Sequence, residues 1–291
     1  YFLVSYNMII KNQEGLQFLS GLPDESVDLV LTDPPYITSR KSGMDKWVDH
    51  VAEQDAAGTN LKSEQDWEKF NAGMDWDKFF GDKKRNIKKL KENYLKYGSI
   101  YGKKYAIKTN YGEWDSEFTM EDLQLFINHF YRILKPGGTC IVFFDLWKIT
   151  PLKEQLESAK FKQIRFIEWL KTNPQPINSK VNYLTNCREI ALLGIKKSKP
   201  TFNSSYDKGV YEYPIQGGKD RFHPTQKNTK LFEELIKKHS NEGDTVLDCF
   251  LGSGTTAVAA MNTKRDFIGC ELDKEYFEKT IMRINHVRAS D

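Results

Sequence analysis

Two apolar blocks stand out in the first half of the chain. The run Val27–Thr32 is mostly apolar and short, as in strands buried in a parallel sheet, and it stops abruptly at Asp33. From 118 to 134 apolar side chains recur at helical spacing, and a Lys-Pro-Gly-Gly segment at 135–138 breaks this helix before the apolar run 139–144. The pattern predicts a buried strand and, further along, a helix that leads into a central strand.

The remaining strand and helix signals alternate. Runs 164–170 and 189–195 are strand-like, and they flank a polar loop rich in Asn and Pro at 172–182. The last part of the chain predicts helix, strand, helix, strand and helix, in order at 231–239, Thr245–Asp248, 254–262, Asp266–Glu271 and 274–286. This alternation predicts an α/β fold with a doubly wound, mostly parallel sheet.

The alternating pattern fails between positions 37 and 113. This stretch is polar, and between 83 and 108 it gathers many lysines against few acids, with tyrosines interleaved among them. We expect a single domain over 1–291 that carries a partly helical, basic insertion at 37–113. The region 171–222 is the candidate for target recognition.

Composition narrows the class of protein. The chain has 291 residues, 39% of them hydrophobic, which suffices for one large α/β domain. A net charge of +3 is too small to indicate nucleic-acid binding, so a polyanion site would depend on local clusters of Lys and Arg. The four cysteines form no C-x-x-C pair, and the chain lacks a membrane-spanning run or a signal-peptide pattern. We expect a reduced, cytoplasmic protein with no membrane partner.

A glycine-rich loop follows the strand that Asp248 ends. Glycines let a backbone approach a ligand closely, and the start of the following helix favours a carboxylate or phosphate. Glu271 closes the next strand, where a carboxylate can accept hydrogen bonds from both ribose hydroxyls. These features predict an adenosine site, although 252–257 also fits the looser G-x-G-x-x-A pattern of dinucleotide folds. The predicted loop residues are Phe250, Gly252, Ser253, Gly254, Thr255 and Thr256.

A second motif, Asp-Pro-Pro-Tyr at 33–36, follows the strand Val27–Thr32. An amine conjugated to a base becomes nucleophilic when both of its hydrogens are bound, and the Asp33 carboxylate and the Pro34 carbonyl can accept them. Pro34 and Pro35 hold the turn rigid, and Tyr36 offers a ring for an extruded base. A surface turn in which two prolines merely end the strand is the alternative. The acid, the ring and the distant glycine loop together favour methyl transfer to such an amine.

The motifs resemble those of the amino-methyltransferases of DNA. The order matches the circularly permuted β group of adenine-N6 enzymes, whose catalytic motif precedes the cofactor motif. Other segments similar to that family are, in order, LPDESVD at 22–28, LKPGG at 134–138, WLKTNP at 169–174, HPTQK at 223–227 and GCELD at 269–273. The resemblance implies a Rossmann-like fold, S-adenosylmethionine as methyl donor and duplex DNA as substrate.

The resemblance also implies roles for single residues. Thr225 and Gln226 would lie near the methionine part of the cofactor, and Leu272 beside its adenine. Asp33 would face the cofactor as well as the target base. The chain departs from the family at three positions, where a longer Glu14 replaces an Asp that contacts the cofactor adenine and where Asn228 and Cys249 replace prolines. These departures affect fine cofactor contacts rather than the reaction.

The expected reaction is direct displacement of the methyl group by adenine N6 in duplex DNA. N4-cytosine methylation is one alternative, although that motif usually begins with Ser rather than Asp. Methylation of RNA or a small molecule and a DNA-binding regulator on the same scaffold are the others. A homodimer and a cognate restriction endonuclease stay open as partners.

DNA contacts are expected from the basic insertion and the recognition loop. The candidates are Lys103, Lys104, Lys108, Asn173, Asn178, Lys180 and Asn182. His223 has no second His or Cys at ligand spacing, so we predict no metal site. Trp147, Trp169 and the pair Phe143 and Phe144 are expected in the core rather than as platforms for bases.

Overall fold

The chain divides into two compact units, one of Tyr1–Ile37 with Tyr111–Asp291 and one of Thr38–Asn110. The computed structural model describes residues 7–37, 61–76, 86–100, 118–174, 186–217, 221–223 and 225–289. The larger unit contains the sheet, and the smaller unit contains two of the described helices.

The sheet has eight strands in the order β1-β8-β7-β2-β3-β5-β4-β6. In chain order they are β1 (Met8–Asn12), β2 (Val27–Thr32), β3 (Leu134–Phe144), β4 (Lys162–Lys171), β5 (Arg188–Ile195), β6 (Val210–Tyr213), β7 (Thr245–Asp248) and β8 (Asp266–Glu271). Only β5 runs antiparallel to its neighbours, β3 and β4. The predicted α/β class and mostly parallel sheet are therefore confirmed.

The described helices follow the same order along the chain. They are α1 (Gly15–Ser20), α2 (Glu64–Ala72), α3 (Ile87–Tyr97), α4 (Met120–Ile133), α5 (Ile149–Ser158), α6 (Thr229–His239), α7 (Thr255–Asn262) and α8 (Lys274–Arg288), with a 3₁₀ turn at Leu146–Lys148. None of them is both long and apolar enough to cross a bilayer. The capping box of α4, between Thr119 and Asp122, explains why that helix starts there.

The second half of β3, Cys140 to Phe144, is apolar and buried because both of its faces are covered. Cys140, Val142 and Phe144 pack into one core, which includes the buried face of α4. Ile141 and Phe143 point the other way, and the Phe143 ring stacks on Phe232 of α6 at 5.4 Å. A strand buried on both faces shows a continuous apolar run instead of alternation, which is the pattern seen in the sequence.

The strand order reverses between β2 and β7. From β7 the chain passes through α7 to β8 on one side, whereas β3 pairs with β2 on the other side. Ligands of open α/β sheets bind at the carboxyl ends of the strands at such a switch point. Asp33 directly follows β2, and Asp248 ends β7, so both predicted motifs lie at this edge.

One core prediction is wrong. Trp169, Phe143 and Phe144 are buried, but Trp147 is 89% exposed. Trp147 lies on the 3₁₀ turn beyond β3, where the Asp145 carboxylate accepts its backbone N–H at 3.0 Å. The chain has left the sheet by this point, so its side chain no longer packs between two layers.

The smaller unit contains a compact aromatic cluster. Trp67 of α2 is buried, and its ring lies 5.6 Å from that of Tyr94 on α3. Phe70 stacks on the same tyrosine at 4.6 Å. The helical content expected of the insertion is present, but Tyr94 packs inside this cluster rather than standing among the lysines as a free aromatic.

Candidate active site

The Asp-Pro-Pro-Tyr turn begins where β2 ends. Pro34 is buried, and the Tyr36 ring meets the ring of Phe144 edge-on at 6.0 Å. Phe144 is the last residue of β3, the neighbour of β2, so the packing of these strands fixes the position of Tyr36. The Asp-Pro-Pro-Tyr turn therefore packs against the hydrophobic core and is not a surface turn.

Asp33 lies in a chain of alternating charges. The Lys227 ammonium is 2.8 Å from Asp33 Oδ2 and 2.6 Å from Glu189 Oε2. Lys171 closes the chain, with its Nζ 2.7 Å from Glu189 Oε1. The Lys227 side chain is only 7% exposed. Ion pairs this far from solvent are weakly screened, so they hold the carboxylates in a defined geometry.

The two oxygens of Asp33 differ in their surroundings. Oδ2 is bound by Lys227, whereas Oδ1 is buried and no donor among the described residues reaches it. Burial raises the pKa of Asp33 to about 6, against the lowering effect of Lys227 and with a further raising effect of Glu189. Oδ1 is therefore a buried acceptor without a hydrogen-bond donor among the described residues, on a carboxylate whose pKa is raised to about 6.

Neighbouring groups keep stable charge states. Burial raises the pKa of Glu189, but the cations Lys227 and Lys171 outweigh it and the net shift is downward. The pKa of Tyr36 lies well above its usual value because of burial and the nearby Asp33. Lys227 donates to Tyr36 Oη at 3.4 Å and lies 5.4 Å from the centre of its ring. Tyr36 thus stays a neutral phenol with a partly exposed ring.

Asp248 ties the glycine loop to strand β2. Its buried carboxylate accepts from Thr32 Oγ1 and Thr256 Oγ1, each at 2.6 Å, and from the Phe250 N–H at 3.0 Å. Burial raises its pKa, and these hydrogen bonds oppose the rise. Because Thr32 ends β2 and Thr256 belongs to α7, Asp248 fixes the spacing between the two motifs.

Side chains outside the glycine loop form hydrogen bonds to its backbone and fix its conformation. Glu271 accepts the Gly252 N–H through Oε2 at 2.7 Å and the Asp273 N–H through Oε1 at 2.9 Å. Thr280 donates to the Gly252 carbonyl at 2.7 Å. Gly254 is the N-cap of α7 and has no side chain, so no side-chain cap binds the first N–H groups of this helix.

The segment that contains Thr225 and Gln226 adjoins the loop. Thr255 Oγ1 donates to the Lys227 carbonyl at 3.3 Å and lies 3.1 Å from Ser253 Oγ, which places this segment beside the start of α7. His223 orders the segment, because its Nδ1 accepts the Thr225 N–H at 3.3 Å. Burial, with Lys227 and Arg221 nearby, lowers the pKa of His223 to about 4, so the ring is neutral.

Two sequence candidates bind backbone groups of the protein, and a third is exposed. Glu14 caps α1, with its oxygens bound to the Leu16 and Gln17 N–H groups at 2.8 and 2.7 Å. Asn173 accepts the Ile215 N–H at 2.6 Å, and Leu272 is exposed beside Glu271. Lys103, Lys104, Lys108, Asn178, Lys180 and Asn182 lie outside the described residues.

Sequence reasoning missed Lys227, Glu189 and Lys171. Lys227 ends the HPTQK segment, and Glu189 is an acid at the start of an apolar run, so each carries a weak signal. Neither signal indicates that Lys227 and Glu189 form an ion pair with each other. Only the sheet, in which Glu189 on β5 and Lys171 on β4 reach the edge occupied by Asp33, brings them together.

Known proteins match both the sequence and the fold. A family model described as DNA methylase matches residues 27–283. The Type II methyltransferase M2.LlaDCHI of Lactococcus lactis subsp. cremoris is 32% identical over 96% of this chain and 90% of its own length. M2.DpnII of Streptococcus pneumoniae, also named a Type II methyltransferase, is 29% identical over 93% of this chain and 87% of its own.

The fold agrees with these sequence matches. The crystal structure of the M1.HpyAVI–SAM complex superposes with a TM-score of 0.59 at 23% identity, over 96% of this chain and 99% of the other. Together with the order of the motifs, these matches confirm the resemblance drawn from the sequence. Because the family model spans most of its length, the chain belongs to the DNA methylase family of N6 and N4 methyltransferases.

Proposed function

We propose that the protein transfers a methyl group from S-adenosylmethionine to N6 of adenine at specific sites in duplex DNA. The observation that carries this proposal is the Asp33 carboxylate, whose Oδ2 is bound by Lys227 and whose Oδ1 has no hydrogen-bond partner among the described residues, at the edge of the sheet that also presents the glycine loop. The same edge offers an acceptor for an amine and a backbone cradle for a cofactor.

The residues of the loop fit the cofactor. The N–H groups at the start of α7, which no side chain caps, suit its carboxylate, and the bare Gly252 and Gly254 allow close approach. Glu271 has one backbone donor on each oxygen, which leaves lone pairs for ribose hydroxyls. The residues proposed to hold the cofactor also include Asp248, Phe250, Ser253, Thr255, Thr256, Thr225, Gln226 and Leu272. When bound, S-adenosylmethionine supplies an electrophilic methyl group.

The chain's own groups act on the target amine. Asp33 Oδ1 and the Pro34 carbonyl accept its two hydrogens, which draws the lone pair out of the ring and toward the methyl donor. Tyr36 stacks on the extruded base and keeps it in the site. As the N–C bond forms, the amine nitrogen becomes acidic and its proton leaves to Asp33 or to water.

Asp33 favours adenine over cytosine N4 within this family, because the corresponding cytosine motif usually begins with Ser. The DNA contacts proposed for Lys103, Lys104, Lys108, Asn173, Asn178, Lys180 and Asn182 stay predictions, as do the homodimer and the cognate endonuclease. So do the domain limits of 37–113 and 171–222. An enzyme with this substrate would work in the cytoplasm of a prokaryotic cell.

Long-read sequencing of DNA from cells that express the protein tests the proposal, because it reports base identity and sequence context together. We expect N6-methyladenine at one recurring short sequence, absent from cells that express Asp33→Ala. Modification of cytosine instead would assign the N4 reaction. Unmodified DNA from cells that contain folded protein would contradict the proposal.

A further inference from the structure

Lys227 is a buried cation at the catalytic carboxylate to which the proposed reaction assigns no task. It lies just before α6, and its ammonium contacts Asp33 Oδ2 and Glu189 Oε2 at 2.8 and 2.6 Å. The rings of Tyr36 and Phe143 lie 5.4 and 5.7 Å from the same nitrogen. A lysine so enclosed is costly to bury, so its retention at this place calls for an explanation beyond stability.

We propose that Lys227 is a positioning residue for methyl transfer, which holds Oδ2 of Asp33 so that Oδ1 is the oxygen presented to the target amine. The proposal rests on the proposed function, since it concerns the same site. Its basis is the asymmetry of the carboxylate, with one oxygen bound by a fixed ammonium and the other buried without a donor among the described residues.

Glu189 restricts the position of the Lys227 ammonium beside Asp33. A lysine side chain is flexible, and a single ion pair would leave its ammonium free to rotate about Asp33. Glu189 binds the ammonium on another side, and Lys171 in turn binds Glu189 at 2.7 Å. The Lys227 backbone is fixed as well, because its carbonyl accepts from Thr255 Oγ1 at 3.3 Å. The direction of the Asp33 carboxylate is therefore set by β5 and by the start of α7 and not by the turn alone.

The same ammonium keeps Asp33 ionised. The titratable groups that face Asp33 are Lys227, Glu189 and Tyr36. Lys227 favours its charged form by charge attraction and by a hydrogen bond, Tyr36 favours it more weakly by a hydrogen bond, and Glu189 opposes it. Without Lys227, two buried carboxylates would face each other, and the pKa of Asp33 would rise above its present value of about 6. A protonated Asp33 would present fewer acceptor lone pairs to the amine.

The test compares Lys227→Met, Lys227→Arg and Glu189→Gln with the wild-type enzyme on duplex DNA and S-adenosylmethionine. A misplaced catalytic group typically costs about 100-fold. We expect kcat of Lys227→Met to fall by about that factor, with KM for S-adenosylmethionine changed by less than about threefold. The acid limb of its pH profile should move to higher pH. Lys227→Arg should recover part of kcat and return the limb toward its wild-type position.

Lys238 provides a matched control at the opposite end of α6. Its ammonium also pairs with two carboxylates, Asp207 and Glu234, each at 2.6 Å, and it lies 4.4 Å from the Tyr211 ring. Lys238→Met removes a similar ion cluster far along the helix from Asp33. We expect it to lower the melting temperature while leaving kcat and the pH profile unchanged.

Two results would overturn the proposal. The first is a Lys227→Met enzyme with kcat within about threefold of wild type and an unmoved acid limb. The second result matters if Lys227→Met does not fold. It is a Glu189→Gln enzyme that folds and has the kcat and the pH profile of the wild type. Asp33→Asn separates this from failure of the proposed function. If wild type methylates adenine and Asp33→Asn does not, a normal Lys227→Met enzyme refutes the positioning role alone.

Discussion

At the scale of single residues, the proposed reaction depends most on Asp33. Its place at a strand end beside two prolines and a ring was predictable, because these residues are contiguous along the chain. Its ionisation was not, because the groups that set it come from remote segments that meet Asp33 only in the folded sheet. Trp147 illustrates the same limit, since its side chain was expected in the core and is 89% exposed.

The first prediction at this scale is that Asp33→Ala removes methyl transfer and spares cofactor binding. The substitution deletes a charge-assisted acceptor in an enclosed site, which should cost about 3 kcal/mol or more of transition-state stabilisation. Among the described residues, the glycine loop is held by Asp248, Glu271 and Thr280 rather than by Asp33. Turnover by radiolabelled methyl transfer and affinity by calorimetry measure the two effects. Near wild-type turnover would refute the assigned role.

The second prediction concerns pH. An ionised Asp33 is a stronger acceptor for the hydrogens of the amine than a protonated one, and burial raises its pKa to about 6. Activity should therefore be complete well above that value and should decline as pH falls through it. An ordinary aspartate would lose activity nearer to its usual value of 3.8. A profile of kcat/KM against pH locates the limb, and a flat profile between pH 5 and 7 would show that Asp33 is not the group involved.

At the scale of elements, the glycine loop depends on positive φ angles that the sequence suggested but could not locate. Gly254 has φ of 73° and directly precedes α7. A Cβ at this position would lie 2.4 Å from Cγ2 of Thr280 on α8. The loop is thus closed against α8, which explains a glycine here by packing as well as by ligand approach.

The third prediction uses a matched pair of glycines. Gly243 has φ of 83° with nothing within 4 Å of a Cβ, so Gly243→Ala should cost only the backbone strain of about 1–2 kcal/mol. Gly254→Ala adds a clash, which should cost roughly 1–3 kcal/mol more. Thr280→Ser deletes the clashing methyl and keeps the hydroxyl on the Gly252 carbonyl, so it should recover part of that loss. Urea unfolding measures all three, and equal costs for the two glycines would contradict the packing described here.

Long or strongly apolar elements were predicted well, and short or peripheral ones were not. Strands β2, β7 and β8 have the predicted limits, because each is an apolar run that begins directly after polar residues. Strands β1 and β6 were missed, since each is a short edge strand with a largely exposed face. Helix α5 was missed as well, because only Leu152 and Leu156 are buried along it.

The fourth prediction concerns the basic insertion, whose Lys103, Lys104 and Lys108 lie outside the described residues. If these lysines bind phosphates, changing all three to Gln should weaken cognate and non-cognate DNA about equally. The log-log salt dependence should flatten by roughly 0.9 per lost contact. Affinity for S-adenosylmethionine should not change. An unaltered salt slope would identify a solvated lysine surface and leave DNA contact to the loop after β4.

At the scale of the whole molecule, the reversal of strand order explains why two distant motifs form one site. The chain leaves β2 and β7 in opposite directions, and the carboxyl ends of strands at such a reversal are where open α/β sheets bind ligands. Asp248 joins the two strand ends through Thr32 and Thr256. The glycine loop and the Asp33 turn are thereby held side by side, which suits a reaction between a cofactor and an extruded base.

The mass of the modified nucleoside tests the proposed transfer to adenine N6 most directly. Purified enzyme would be incubated with duplex DNA and S-adenosylmethionine, and the DNA digested and analysed against N6-methyladenine and N4-methylcytosine standards. If Asp33 acts on adenine N6, we expect N6-methyladenine from the wild-type enzyme and none from Asp33→Ala. N4-methylcytosine from the wild-type enzyme, or equal N6-methyladenine from both proteins, would contradict it.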